Sequence, residues 1–114
     1  MPSFEQGDIV RVPFPYTDRS TRQHRPALVV SSGGIGEERA LLWVVMITSA
    51  ENRPWRDDIQ LGKRYAEAGL PAPSVIRPCK IATIEARNAE PIGKVTPSVM
   101  KEVAIALQRY LGDR

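Results

Sequence analysis

One cysteine, Cys79, and one histidine, His24, are all that this 114-residue chain offers of the two residue types most used to hold transition metals. No internal disulfide can form and no Cys-x-x-Cys pair exists, so the expectation is a protein of a reducing cytoplasm with no metal centre. No apolar run approaches the length that spans a bilayer, and Met1 to Gln6 lacks the basic and apolar blocks of a secretory signal. Internal repeats and low-complexity stretches are missing as well. The charge balance excludes little: sixteen basic residues against thirteen acidic ones leave +3, although arginine strongly outnumbers lysine. A slightly basic soluble surface accounts for that excess without any special partner.

Apolar residues make up 42% of the chain, and the length fits a single domain over 1–114 with one core. The first half reads as strands. From Asp8 to Phe14, Val10, Val12 and Phe14 alternate with Ile9, Arg11 and Pro13, and Pro13 places the strand's exit at an edge. A long polar connection, Pro15 to His24, follows without helical period. Ala27–Ser32 and Ala40–Ile47 are continuous β-branched runs expected to pair antiparallel at the centre of the core, with the Gly33-Gly34 turn between them. Trp43 lies inside the second run and is expected in the core. Asp57–Leu61 reads as a short strand and Lys63–Gly69 as about a turn of helix. Ser74–Ile76 and Lys80–Ile84 read as further extended pieces, and Pro91–Val95 as a last strand. The end is a helix, with Thr96 as N-cap, Pro97 at the first helical position and Gly112 as the stop. Its apolar stripe, Val99, Val103, Ala106, Leu107 and Tyr110, must pack on the barrel wall or on a partner chain. Six or seven strands, long early loops and one terminal helix predict a mainly β, small, partly open barrel.

Two strand mouths stand out. Arg25 precedes Pro26 at the opening of one strand, and Thr48-Ser49 closes the next. A guanidinium and a hydroxyl at neighbouring strand ends suit a phosphate, which a planar fork binds through two oxygens at once. The alternatives are an arginine that caps its own strand or pairs with Asp8 or Asp18, and a threonine that satisfies nearby backbone.

Gly7-Asp8-Ile9-Val10, the Pro13-Phe14 exit, Arg25-Pro26-Ala27-Leu28-Val29-Val30-Ser31, Ile47-Thr48-Ser49 and Ile92-Gly93-Lys94-Val95 occur in an order and spacing that resembles the MazF/PemK family of toxin–antitoxin endoribonucleases. Gly69-Leu70-Pro71-Ala72-Pro73-Ser74-Val75 is similar to its PemK-like branch. The resemblance covers nearly the whole chain. It implies an SH3-like, CcdB/PemK-type barrel with a C-terminal helix, assembled as a homodimer. It implies cleavage of single-stranded RNA, commonly messenger RNA, at short sequences without metal or cofactor, leaving a 2′,3′-cyclic phosphate and a 5′-hydroxyl. A cognate antitoxin would lay a flexible acidic tail over the RNA groove. Carried over by position, Arg25 is the catalytic arginine and Thr48 the catalytic threonine. Some relatives carry a glutamate in the loop before the arginine; here that stretch is Ser20-Thr21-Arg22, and the nearest carboxylate is Asp18.

Such chemistry uses the 2′-hydroxyl as internal nucleophile. The protein must help remove its proton, stabilise charge on the phosphorane-like transition state and protonate the leaving 5′-oxygen. A well-placed donor contributes about 3–4 kcal/mol to such a transition state. Thr48 supplies a stiff β-branched donor. Ser49 stands on the opposite face as a backup, and His24 is either an acid–base group or a loop histidine that donates to RNA. Tyr16 and Trp55, beside Arg19, Arg22, Arg53 and Arg56, suit stacking on unpaired bases and tracking of phosphates, or else form solvated charged loops. Two other classes compete: a non-catalytic binder on the same barrel, as in gyrase-poisoning CcdB toxins, and an RNA-binding module without cleavage.

Overall fold

Leu28 and Val29 face opposite sides of one strand, as do Val44 and Val45 of the next, and all four are fully buried. A strand covered on both faces needs no polar alternation, which is why these segments read as unbroken apolar runs. The structure is a computed structural model that describes residues 3–14 and 23–112. Its strands are β1 (Asp8–Phe14), β2 (Gln23–Val29), β3 (Leu41–Ser49), β4 (Ile59–Gln60), β5 (Ser74–Glu85) and β6 (Glu90–Lys94), followed by the helix α1 (Pro97–Tyr110). They form one antiparallel sheet in the order β4-β5-β3-β2-β1-β6, curled into a half-barrel, with β2 and β3 at its centre as expected.

Two apolar clusters sit on the two faces of the sheet. One collects Val10, Val12, Ala27, Val29, Leu42, Val44 and Met46; the other collects Ile9, Leu28, Val45, Ile47 and Ile76 with Val99 and Val103 of α1. Thr96 caps α1 by accepting from the Val99 N–H at 3.3 Å, and Pro97 occupies the first turn. Val99, Val103 and Ala106 are buried as the stripe predicts, whereas Tyr110 and Leu111 stay exposed.

Two expectations are corrected. Ser74–Ile76 and Lys80–Ile84 belong to one strand, β5, joined through a wide irregularity: Met46 pairs with Arg77 while its neighbour Val45 pairs with Ile81. Pro78, which has no N–H to give the ladder, lies in that bulge. Trp43 is 48% exposed, not core. It projects on the α1 side of β3, beyond the part of that face which the helix covers, and forms with Ile81, Leu107 and Leu111 part of an apolar pocket of about 400 Å³.

Candidate functional site

The β2–β3 ladder is recorded as far as Ala27 opposite Met46. Both strands run on past that pair, β2 back to Gln23 and β3 to Ser49, so Arg25 and Thr48 each lie two residues beyond it. Alternation keeps Arg25 on the face of Ala27 and Val29, and Thr48 on the face of Met46 and Val44, which is one face of the sheet. Arg25 is exposed and Thr48 half-buried. Arg25 and Thr48 therefore belong to adjacent strands and to one face of the sheet, each two residues past the last β2–β3 pair; β2 begins at Gln23, so Arg25 lies inside the strand and not at its opening.

Thr48 has a partner that sequence reading missed. The Asn52 amide donates to Thr48 Oγ1 at 2.6 Å. A hydroxyl that accepts in this way keeps its own hydrogen for another acceptor, so Asn52 turns Thr48 into a donor toward whatever occupies the face. Asn52 is itself placed by a turn, its N–H donating to the Ser49 carbonyl. The i to i+4 spacing across a strand end was the only sequence signal available.

Ser49 is exposed, and its Oγ accepts from the Glu51 N–H at 3.1 Å, a turn-capping role. His24, opposite Pro13, is exposed and by alternation lies on the face of β2 away from Arg25. Tyr16, Asp18, Arg19 and Arg22 lie outside the described residues.

Arg53, Trp55 and Arg56 stand together in the segment between β3 and β4, all exposed. What holds that segment is Arg77 of β5, whose side chain is 7% exposed. Its Nε and Nη2 donate to the two carboxylate oxygens of Asp58, each at 3.0 Å, and Nη2 also donates to the Arg53 carbonyl at 3.1 Å. Asp58 in turn accepts from the Trp55 N–H at 2.8 Å, and the Arg77 guanidinium lies 4.3 Å from the Trp55 ring centre. Burial works to raise the Asp58 pKa, but the hydrogen bonds from Arg77 and Trp55 and the Arg77 charge outweigh it, leaving the carboxyl below its ordinary value of 3.8. The cross-strand partner of Arg77 is Met46, on the Thr48 face, while Asp57 and the Trp55 cleft reach Tyr110 of α1, which packs on the other face. Sequence reading passed over both Arg77 and Asp58.

The segment is fastened to α1 as well. Tyr110 donates its hydroxyl to Asp57 at 3.1 Å, and Arg109 reaches the same carboxylate at 3.6 Å. Burial, then the Asp57 hydrogen bond, pushes the Tyr110 phenol up to about 12.

Residues 5–111 match the family described as PemK-like, MazF-like toxin of type II toxin–antitoxin systems. This chain belongs to that family. Its fold agrees. MazF from Deinococcus radiodurans is 21% identical over 98% of this PemK-like chain and 99% of its own length, with a TM-score of 0.79. The MazE–MazF complex of the same organism gives 22% identity, complete coverage of both chains and a TM-score of 0.75. A mycobacterial endoribonuclease in complex with its cognate antitoxin gives 21%, coverage of 98% and 96%, and 0.72. No curated protein matches the chain at a significant level. Among the described residues, no helix of this toxin-family fold is long and apolar enough to cross a membrane.

Proposed function

We propose that this PemK-like chain is a single-domain endoribonuclease toxin that cuts single-stranded RNA, commonly messenger RNA, at short sequences by transesterification. What supports this reading is that Arg25 and Thr48 lie on adjacent strands and share one sheet face by alternation, in a chain of this family. The RNA 2′-oxygen attacks the adjacent phosphorus, the bond from phosphorus to the 5′-oxygen breaks, and a 2′,3′-cyclic phosphate and a 5′-hydroxyl result. Arg25 binds the non-bridging oxygens as their charge grows. Thr48, its oxygen already accepting from Asn52, donates its hydrogen to one of them. Proton transfer from the 2′-hydroxyl and to the leaving oxygen falls to a supporting group. His24, Ser49 and Asp18 are the candidates, and the placement of Ser49 in a turn and of His24 on the far face favours Asp18. Arg53, Trp55 and Arg56, with Tyr16, Arg19 and Arg22, form the binding surface for the RNA strand. No metal or cofactor takes part in this scheme.

The proposed setting is the cytoplasm, with a cognate antitoxin whose acidic tail competes for these arginines, and a homodimer formed through the exposed apolar patch of Trp43, Ile81 and Leu111. The experiment is incubation of the purified protein with a long RNA in excess EDTA. Discrete fragments ending in cyclic phosphate are expected. Intact RNA that is nevertheless bound would overturn the enzyme reading in favour of a non-catalytic binder on the same fold.

A further inference from the structure

Arg77 is an odd residue for an RNA-contacting face, because it is an arginine that phosphate cannot reach. Its residue exposure is 6%, its charge is matched by Asp58 through two hydrogen bonds, and its remaining Nη2 bond goes to the Arg53 carbonyl. A buried ion pair seldom stabilises a fold more than apolar side chains of the same volume, so its usual return is a fixed geometry. What it fixes here is Trp55. The ring rests 4.3 Å from the guanidinium, Lys80 Nζ stands 5.3 Å from its centre, and the Trp55 N–H is tied to Asp58. The ring is held from side chain and backbone, yet 37% of the residue stays open, beside a cleft of about 410 Å³ that Arg53, Arg56 and Tyr110 also line. The β5 bulge at Pro78 delivers Lys80 to this spot.

Resting on the nucleic-acid reading above, we propose that Trp55 is a stacking subsite for one unpaired nucleobase of the bound strand, and that Arg77 is the residue which positions it. Arg77 and Arg25 grow from the strands on either side of β3, and two inter-strand spacings with a two-residue offset along the strands set their backbones roughly 12 Å apart. The guanidinium and Lys80 both lie over the indole, and a base stacks on the ring surface they leave open. Stacking accepts any base, so the subsite contributes affinity and register along the strand, while hydrogen-bonding neighbours choose the sequence.

The test is binding of a short single-stranded oligonucleotide with every 2′-hydroxyl methylated, which cannot be cut, its affinity read from the anisotropy of a dye on the strand and the state of Trp55 from tryptophan fluorescence in a Trp43→Phe background. Trp55→Ala is expected to weaken binding roughly ten-fold or more, and an abasic strand of equal length is expected to bind both proteins alike. Arg77→Met should lose the binding-induced quenching of Trp55 and weaken the intact strand similarly. The Trp55→Ala/Arg77→Met pair should bind no worse than Trp55→Ala alone, and Arg77→Lys should recover part of the quenching. Unchanged affinity in Trp55→Ala, an equal loss on the abasic strand, additive losses in the pair, or no strand binding at all would overturn the subsite. If Arg77→Met fails to fold, Trp55→Ala and Arg77→Lys decide the matter. A protein that binds and quenches but never cuts RNA in EDTA keeps the subsite and loses the enzyme. One that cuts, and whose Trp55→Ala variant binds normally, keeps the enzyme and loses the subsite.

Discussion

Arg25 and Arg77 are the same residue type with opposite assignments. Arg25 is exposed on the sheet face, where a guanidinium can meet a phosphate; Arg77 is buried with its charge matched, where it can only hold other groups. Replacing Arg25 by alanine is therefore expected to cut the RNA cleavage rate by about 10²–10³-fold, the usual cost of one transition-state donor, with an unchanged thermal melt. Asn52→Ala should lower the rate less, since Thr48 keeps its hydroxyl but loses the bond that aims it. A variant Arg25→Ala that cuts at the wild-type rate would remove the assignment. At Asp58 the expectation concerns acid. Its folded pKa lies below the unfolded value near 3.8, so its contribution to stability is complete above that pH and fades as pH falls through the lower folded value. Trp55 fluorescence should change below about pH 4, and Asp58→Asn should show the changed signal already at neutral pH.

Between elements, the tightest requirement is glycine against glycine. Gly69 has φ +87°, and a Cβ there would strike the Ile92 carbonyl of β6; a Cβ on Gly93 would strike the Ala68 carbonyl. The turn after Tyr65 can approach β6 only because neither position carries a side chain. Gly69→Ala combines a left-handed backbone with that clash, and a loss of at least about 2 kcal/mol is expected, lowering Tm by roughly 10 °C. Circular dichroism gives the answer directly. At the end of α1, the Tyr110 phenol titrating at about 12 means its contribution is complete below pH 10 and is lost as pH rises through 12. Phenolate absorbance tracks that step, and Asp57→Asn should move it toward ordinary tyrosine.

At the scale of the whole molecule, Trp43, Ile81 and Leu111 are exposed around one apolar pocket, the surface that the proposed homodimer would cover. Trp43→Asp is expected to halve the mass seen by light scattering at micromolar concentration; a wild-type protein that already scatters as one chain would eliminate the dimer. The sequence by itself carried the strand and helix inventory, because burial on both faces writes apolar runs and a capped helix writes its own boundaries at Thr96, Pro97 and Gly112. It also carried the family, through the motifs that the match over residues 5–111 contains. Local chemistry was enough for both. Which side of β3 Trp43 would face water on, how Pro78 would bend β5 without ending it, and how Arg77 would pair with Asp58 nineteen residues earlier were decided only by tertiary structure. Each depends on where the helix stops covering the sheet and on which strands lie side by side, and those contacts join residues that no local pattern links.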